Sequence, residues 1–323
     1  MTKMNGIVYS DDMRTIEKCD IDLSGFIAIP EGVEFIKERA FAWTNITSVK
    51  FPSSLKYIGK EAFSYCKQLE SVDFGNNKND ILSEKGVFLY SAIKNIEIPG
   101  SIKTIGEECF RMSQIKSVKL NEGIEIIKYN AFGFASGVKK INIPKSMKVI
   151  HESNFNNLAV IFSSSYCKGI FSICMNSYEL TKYTGKRGTI YIPGPIRPNE
   201  INNIQKMLED YMKEKRDSIS YIYMINNVLF PSLKFIQAAE IYDKTHDSQV
   251  LHFLKENNTE VKNYLLESEN VKLITKLISS NIFSKEQLVD ILHNEICNSS
   301  IPLKAIVLDK LKKQSFESSK FNI

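Results

Sequence analysis

The stretch Ile29-Pro30-Glu31-Gly32-Val33-Glu34-Phe35-Ile36-Lys37-Glu38-Arg39-Ala40-Phe41-Ala42-Trp43-Thr44-Asn45-Ile46-Thr47-Ser48-Val49-Lys50-Phe51 decides the fold, because the chain repeats it at once. The next unit reads Pro52-Ser53-Ser54-Leu55-Lys56-Tyr57-Ile58-Gly59-Lys60-Glu61-Ala62-Phe63, continues through Cys66, and closes on Leu69-Glu70-Ser71-Val72-Asp73-Phe74. Phe41 and Phe63 open a series with Phe88, Phe110, Phe132 and Phe155, at intervals of 22, 25, 22, 22 and 23 residues. A fixed period in the twenties marks a solenoid, in which each unit buries an apolar edge against its neighbours.

Each unit has three parts. A short motif ends in isoleucine: Val33–Ile36, Leu55–Ile58, Ile102–Ile105, Ile124–Ile127 and Met147–Ile150. A small residue then precedes phenylalanine in Ala40-Phe41, Ala62-Phe63, Cys109-Phe110 and Ala131-Phe132. An alternating run follows: Ile46–Phe51, Leu69–Phe74, Ile93–Ile98, Ile115–Leu120 and Val138–Ile143. Alternation of apolar and polar residues predicts half-buried strands. Pro52, Pro99 and Pro144 end three of them, since proline cannot donate to the next rung. The small-Phe pair predicts an aromatic ring driven inward beside a closely approaching backbone.

This pattern closely resembles the BspA-like leucine-rich repeat family over residues 5–194, best from Ile29-Pro30 to Phe74, with Cys66 where the family usually has cysteine. The resemblance implies that Asn5–Ser10, with Asp11 and Asp12, belongs to an opening hairpin and that Thr189–Pro193 is a closing strand. One unit departs from the pattern. Residues 75–92 have Val87-Phe88 for the small-Phe pair and carry extra residues, which predicts a bulge or loop. The pattern also decays around Asn154-Phe155, as a terminal unit does.

The chain has 323 residues, room for two domains. Residues 1–195 hold 25 basic and 20 acidic side chains, and residues 196–323 hold 17 of each, so the net charge of +5 sits on the repeats. That excess is too slight and too dispersed for a nucleic-acid stripe. The six cysteines form no CxxC pair, and Cys66 and Cys109 fall at inward repeat positions, which predicts reduced thiols. The start from Met1 has no apolar leader and no segment is long enough to span a membrane, so the expected location is the cytoplasm. Many relatives are displayed at the cell surface, and the alternative is a surface or secreted chain whose signal has been removed.

Gly194-Pro195-Ile196-Arg197-Pro198 reads as a boundary, dividing a solenoid over 1–194 from a helical domain over 195–323. The overall class expected is α+β. Asn199 is a candidate N-cap for a helix over about 200–217. Apolar spacing is helical from about residue 232, in sets such as Val250/Phe253/Leu254, Ile274/Leu277/Ile278 and Leu288/Ile291/Leu292. Ser284 with Gln287 forms a capping-box pattern. Leu251–Glu267 is similar to the second-helix region of ankyrin-type repeats but lacks that family's turn motif.

No catalytic motif emerges: there is no phosphate loop, HExxH or GxSxG. His246, Asp247 and His252, or Asp290 and His293, form the residues of an acid-base or metal site, but such pairs are common on solvated helix faces. Cys167, Cys174 and His151 have no common zinc-ligand spacing. The expectation is therefore a non-enzymatic binding or scaffold protein that needs no cofactor or metal. The alternatives are a surface adhesin for host protein or glycan, and an enzyme with its site in the helical domain.

A solenoid displays its contacts on the polar columns of its strands. One column stacks Thr47, Glu70, Lys94, Lys116 and Lys139 beside Ser48, Ser71, Asn95, Ser117 and Lys140, a basic gradient suited to an acidic protein partner. Phe35 and Tyr57 occupy polar phases of the other column, ahead of Thr104, Ile126 and Val149, and are candidate interface anchors unless the N-terminal hairpin covers them. Trp43, two residues after Phe41, is a third candidate contact, with a core position as the alternative.

Overall fold

The computed structural model describes residues 1–155, 157–175 and 177–320, with side chains through residue 314. Two compact units emerge: residues 1–192 with 201–217, and residues 193–200 with 218–323.

The first unit is a β-solenoid of about eight turns over residues 15–184. It opens with antiparallel strands β1 (Thr2–Met4), β2 (Ile7–Tyr9) and β3 (Thr15–Cys19). The turn between β1 and β2 is Asn5-Gly6, both at positive φ, as a tight two-residue hairpin requires. One strand column contains β4 (Ser24–Ala28), β6 (Asn45–Lys50), β8 (Ser71–Asp73), β9 (Asn95–Ile98), β11 (Ser117–Leu120), β13 (Lys140–Ile143) and β15 (Val160–Ser163). It closes with β16 (Thr181–Gly185) and the antiparallel β17 (Gly188–Ile192). The second column has two-residue strands: β5 (Phe35–Ile36), β7 (Tyr57–Ile58), β10 (Thr104–Ile105), β12 (Ile126–Ile127) and β14 (Val149–Ile150). Between successive turns the strands of each column pair in parallel, in the register the repeats dictate: Phe35 faces Tyr57, Ser48 faces Ser71, and Asn95 faces Ser117.

The six phenylalanines form one interior stack. All are fully buried, and successive ring centroids lie 4.7, 5.4, 5.4, 5.2 and 4.6 Å apart with nearly parallel planes. Burying such a ring contributes about 1.5–3 kcal/mol, and each ring pair adds about 0.5–1.5 kcal/mol. The connectors are hydrogen-bonded as regularly as the strands. The amides of Phe41, Phe63, Phe88 and Phe110 donate to Ala62, Val87, Cys109 and Ala131 carbonyls at 2.7–2.9 Å. Phe155 remains in the stack although its sequence motif decays. There the buried Asn154 side chain supplies the rung, accepting from the Phe132 amide at 2.8 Å and donating to the Lys128 and His151 carbonyls.

The irregular unit at 75–92 interrupts both columns: β8 does not pair with β9, nor β7 with β10. Side chains fill the gap. Asn77 donates to the Pro52 and Leu55 carbonyls at 2.9 and 2.7 Å, and Asn79 donates to Leu55 at 2.8 Å. On the far side, Asp80 Oδ1 accepts from the amides of Lys103 and Thr104. Gly106 lies so close to this segment that a Cβ would come within 2.0 Å of the Glu84 carbonyl oxygen.

Helix α1 (Ile201–Met212) groups with the solenoid unit, although it follows the boundary motif. It ends before residue 217, and Asn199 lies inside a one-turn 3-10 helix (Pro198–Glu200) instead of capping it. Arg187 ties α1 down, its guanidinium 4.2 Å over the Tyr211 ring and donating to the Tyr211 and Arg216 carbonyls.

The second unit is helical. Its elements are α2 (Tyr221–Asn226), α3 (Pro231–Thr245), α4 (Ser248–Glu256), α5 (Asn258–Glu267), α6 (Val271–Ser279), α7 (Lys285–His293), α8 (Glu295–Ser299) and α9 (Ile301–Lys320). Val250, Phe253, Leu254, Ile274, Leu277, Ile278, Leu288 and Ile291 are buried, and the Ser284–Gln287 capping box is formed in both directions. Leu251–Glu267 is helical on both sides of Asn257, which separates α4 from α5. The buried Gln237 amide clasps Gly194 within this unit, accepting from its N–H at 3.1 Å and donating to its carbonyl at 2.7 Å.

Candidate functional site

The basic column is built where the strand column splits a second time. β9 pairs with β11 and β13 pairs with β15, but no ladder joins β11 to β13. At that seam lies a notch of about 300 Å³ lined by Lys116, Ser117, Val118, Gly137, Lys139, Lys140 and Asn142. Gly137 permits the close approach, since a Cβ there would meet the Ile115 carbonyl oxygen at 2.7 Å.

The structure brings Lys116, Lys139 and Lys140 together and leaves Lys94 one strand away. Lys94 pairs with Glu70 at 3.1 Å and Lys139 with Glu179 at 2.8 Å, so the smooth gradient expected from sequence is partly neutralised. Both pairs are solvent-exposed, where such contacts are worth little and exchange readily. The Lys140 ammonium lies 5.0 Å from the centre of the Phe162 ring. Lys116 makes no ion pair among the described residues.

Phe35 and Tyr57 are adjacent register partners, 39 and 41% exposed. The N-terminal hairpin extends their sheet through β3 and β5 and does not cover them. Partial burial, with Glu84 nearby, holds the Tyr57 phenol above its ordinary pKa.

Trp43 is 54% exposed and lies outside the core, its ring stacked on Tyr65 at 4.1 Å with the planes only 3° apart. Tyr65 stacks in turn on Tyr90 at 4.7 Å. Met112 and Phe134 continue the column, each placed two residues after a ladder phenylalanine. All five residues have positive φ, between 57° and 66°. That backbone region costs a non-glycine residue about 1–2 kcal/mol, and ring stacking offsets part of it at Trp43, Tyr65 and Tyr90. Sequence reasoning selected Trp43 and missed Tyr65, Tyr90, Met112 and Phe134, although their constant offset from the ladder was visible.

At the end of this column lies a cleft of about 570 Å³ lined by Arg111, Tyr129, Asn130, Phe134, Ser153, Asn157 and Tyr178. None of these was selected from sequence. Tyr129, Phe134 and Tyr178 are 49, 53 and 58% exposed.

The structure does not bring the sequence candidates His246, His252 and His293 to one cleft among those described. A cleft of about 510 Å³ in the helical unit is lined by His252 with Ser220, Gln249, Phe253 and Glu256, but not by His246 or His293. His252 lies 3.1 Å from Glu256 on an exposed helix face, and Asp290 binds Lys262 at 2.7 Å. Among the described residues no three His, Cys, Asp or Glu side chains converge as metal ligands. All six cysteines are free; burial pushes the Cys167 thiol up to about 12, far from a reactive thiolate. No helix among the described residues is long and apolar enough to cross a membrane.

Parallel turns, an aromatic interior and exposed polar columns define a leucine-rich-type solenoid, a class whose extended repeat surfaces serve as binding scaffolds. The sequence signature of the BspA type Leucine rich repeat region matches in six copies across residues 3–193, and the chain belongs to that family. Solved structures similar to it include a leucine-rich repeat protein from Bacteroides ovatus (21% identity, 49% of this chain and 50% of that one, TM-score 0.38). The pneumococcal vaccine antigen PcpA (22%, 48% and 44%, 0.34) and a Treponema pallidum leucine-rich repeat protein (18%, 54% and 78%, 0.34) are others. The chain spans half or less of the first two. No curated protein sequence matches it.

Proposed function

We propose that this protein is a non-enzymatic binding or scaffold protein whose solenoid presents the seam between β11 and β13 to an acidic segment of a protein partner. The observation that carries this reading is the convergence of Lys116, Lys139 and Lys140 on one notch, with Ser117 and Asn142 as neutral hydrogen-bonding neighbours. Exposed lysines with weak or exchangeable partners favour fast, salt-sensitive association with a partner of opposite charge.

Lys116→Glu combined with Lys140→Glu tests it. A partner is first captured on the full chain from native cell extract, then purified and titrated against both forms. The expected result is at least a tenfold weaker Kd at low salt, with an unchanged melting temperature. Equal affinity of the two forms would remove the lysine notch from the function.

A further inference from the structure

The cleft lined by Arg111, Tyr129, Asn130, Phe134, Ser153, Asn157 and Tyr178 lies outside the lysine notch, and its chemistry is different. We propose that it is a saccharide subsite that takes the carboxylate-bearing end residue of an acidic glycan.

Its volume of about 570 Å³ falls within the range of small-ligand sites, roughly 300–1,000 Å³. Three aromatic side chains each expose about half their surface around it. Large rings grouped in one concavity mark a contact surface, whereas scattered ones do not. A pyranose offers flat C–H faces to such rings and hydroxyls at its rim. Those hydroxyls both donate and accept, and so do the lining side chains of Asn130, Ser153 and Asn157.

The single charged side chain of the lining is Arg111, and it is held in place. With the Asn130 amide oriented so that both its ends are satisfied, Arg111 Nε donates to its side-chain oxygen at 3.3 Å and the amide donates to the Ser153 carbonyl at 3.2 Å. The Arg111 Cζ lies 5.4 Å from the centre of the Phe134 ring. Its ion-pair partner Glu108 is 3.7 Å from Nη1, beyond hydrogen-bond distance, and is shared with Lys85 at 3.3 Å. A guanidinium carries five donors in a fixed fork, so Arg111 retains the geometry for two parallel bonds to a carboxylate. A fixed positive charge disfavours a cationic ligand between the rings. A polyphosphate would call for more than one cation in the lining.

The test uses the full chain and four probes in calorimetric and saturation-transfer NMR titrations: a sialyl trisaccharide, a trigalacturonate, and the methyl ester of each. The acid of at least one pair is expected to bind and its ester to bind at least tenfold more weakly. Phe134→Ala and Tyr178→Ala should each weaken binding at least tenfold without moving the melting temperature. Arg111→Lys should erase the preference for acid over ester. Failure of both acids to bind, equal binding of acid and ester, or unchanged binding by Phe134→Ala would overturn the assignment. So would displacement of the sugar by an equimolar glutamate-terminated peptide, which would make the site a peptide-carboxylate site.

Discussion

The carboxylate of Asp80 stands in for a main-chain carbonyl toward Thr104: Oδ1 accepts the Thr104 amide at 3.1 Å and the neighbouring Lys103 amide at 2.9 Å. In regular turns that bifurcated role belongs to the carbonyl oxygen of Arg14, Glu34, Lys103 or Glu125. The irregular unit at 75–92 lacks the strand that would supply it, and one side chain restores the rung.

Asp80→Ala should therefore act beyond its own turn. Two amides between stacked turns lose their acceptor, at a cost of about 1–3 kcal/mol for each group left without water or protein. Asp80→Asn keeps an acceptor oxygen and should lose less. Urea unfolding monitored by circular dichroism ranks the two, and equal stability of Asp80→Ala and the parent would refute the carbonyl-substitute role.

The two aromatic columns should respond oppositely to truncation. Phe110→Ala removes a fully buried ring stacked on Phe88 and Phe132, and a loss of about 3–5 kcal/mol is expected. Trp43→Ala removes an exposed ring from a residue at φ 66°, and the loss should stay below about 1.5 kcal/mol. Calorimetric midpoints of the two variants provide the comparison.

Acid should loosen the repeats from their turns. Main-chain donation from Ser53 holds the Glu31 carboxyl below its ordinary 4.5, and Lys145 does the same for Glu122. Side-chain bonds from Arg14 and Lys148 lower Glu34 and Glu125. A folded-state value below the unfolded one contributes stability above the unfolded value, and that contribution disappears as pH falls through the folded value. Stability should hold at neutral pH and decline below about pH 4.5, with a shallower decline in Glu31→Gln/Glu122→Gln. Melting temperatures across an acid series measure both slopes, and parallel slopes would exclude these two carboxylates.

In the helical unit, Gln237→Ala should cost more than an ordinary helix substitution. It deletes both partners of the Gly194 peptide groups in a buried setting, for a loss of about 2–4 kcal/mol. Faster exchange of the Gly194 amide proton is the direct readout.

The solenoid was legible because its physics is local and repeated. An alternating run has one apolar face whatever lies elsewhere, so the buried positions of β6, β9, β11 and β13 followed from the chain itself. The same period fixed the Phe35–Tyr57 and Asn95–Ser117 registers. The lysines were legible as a column, but their partial neutralisation was not. Glu179 reaches Lys139 from a later turn whose sequence carries no clear repeat. Trp43 was ambiguous because a connector has no simple periodicity, and only the structure shows its ring outside the core, stacked on Tyr65.

The sequence by itself determined that this is a BspA-type repeat stack with an aromatic interior, because each unit can bury its apolar edge only against a copy of itself. Tertiary structure decided where the stack departs from its own period. It opened the seam beside Lys116 and Lys140, placed side-chain amides and a carboxylate across the irregular unit at 75–92, and brought Tyr178 to the same cleft as Arg111 and Phe134. Those juxtapositions depend on how successive turns close in space, a long-range property that no single repeat encodes.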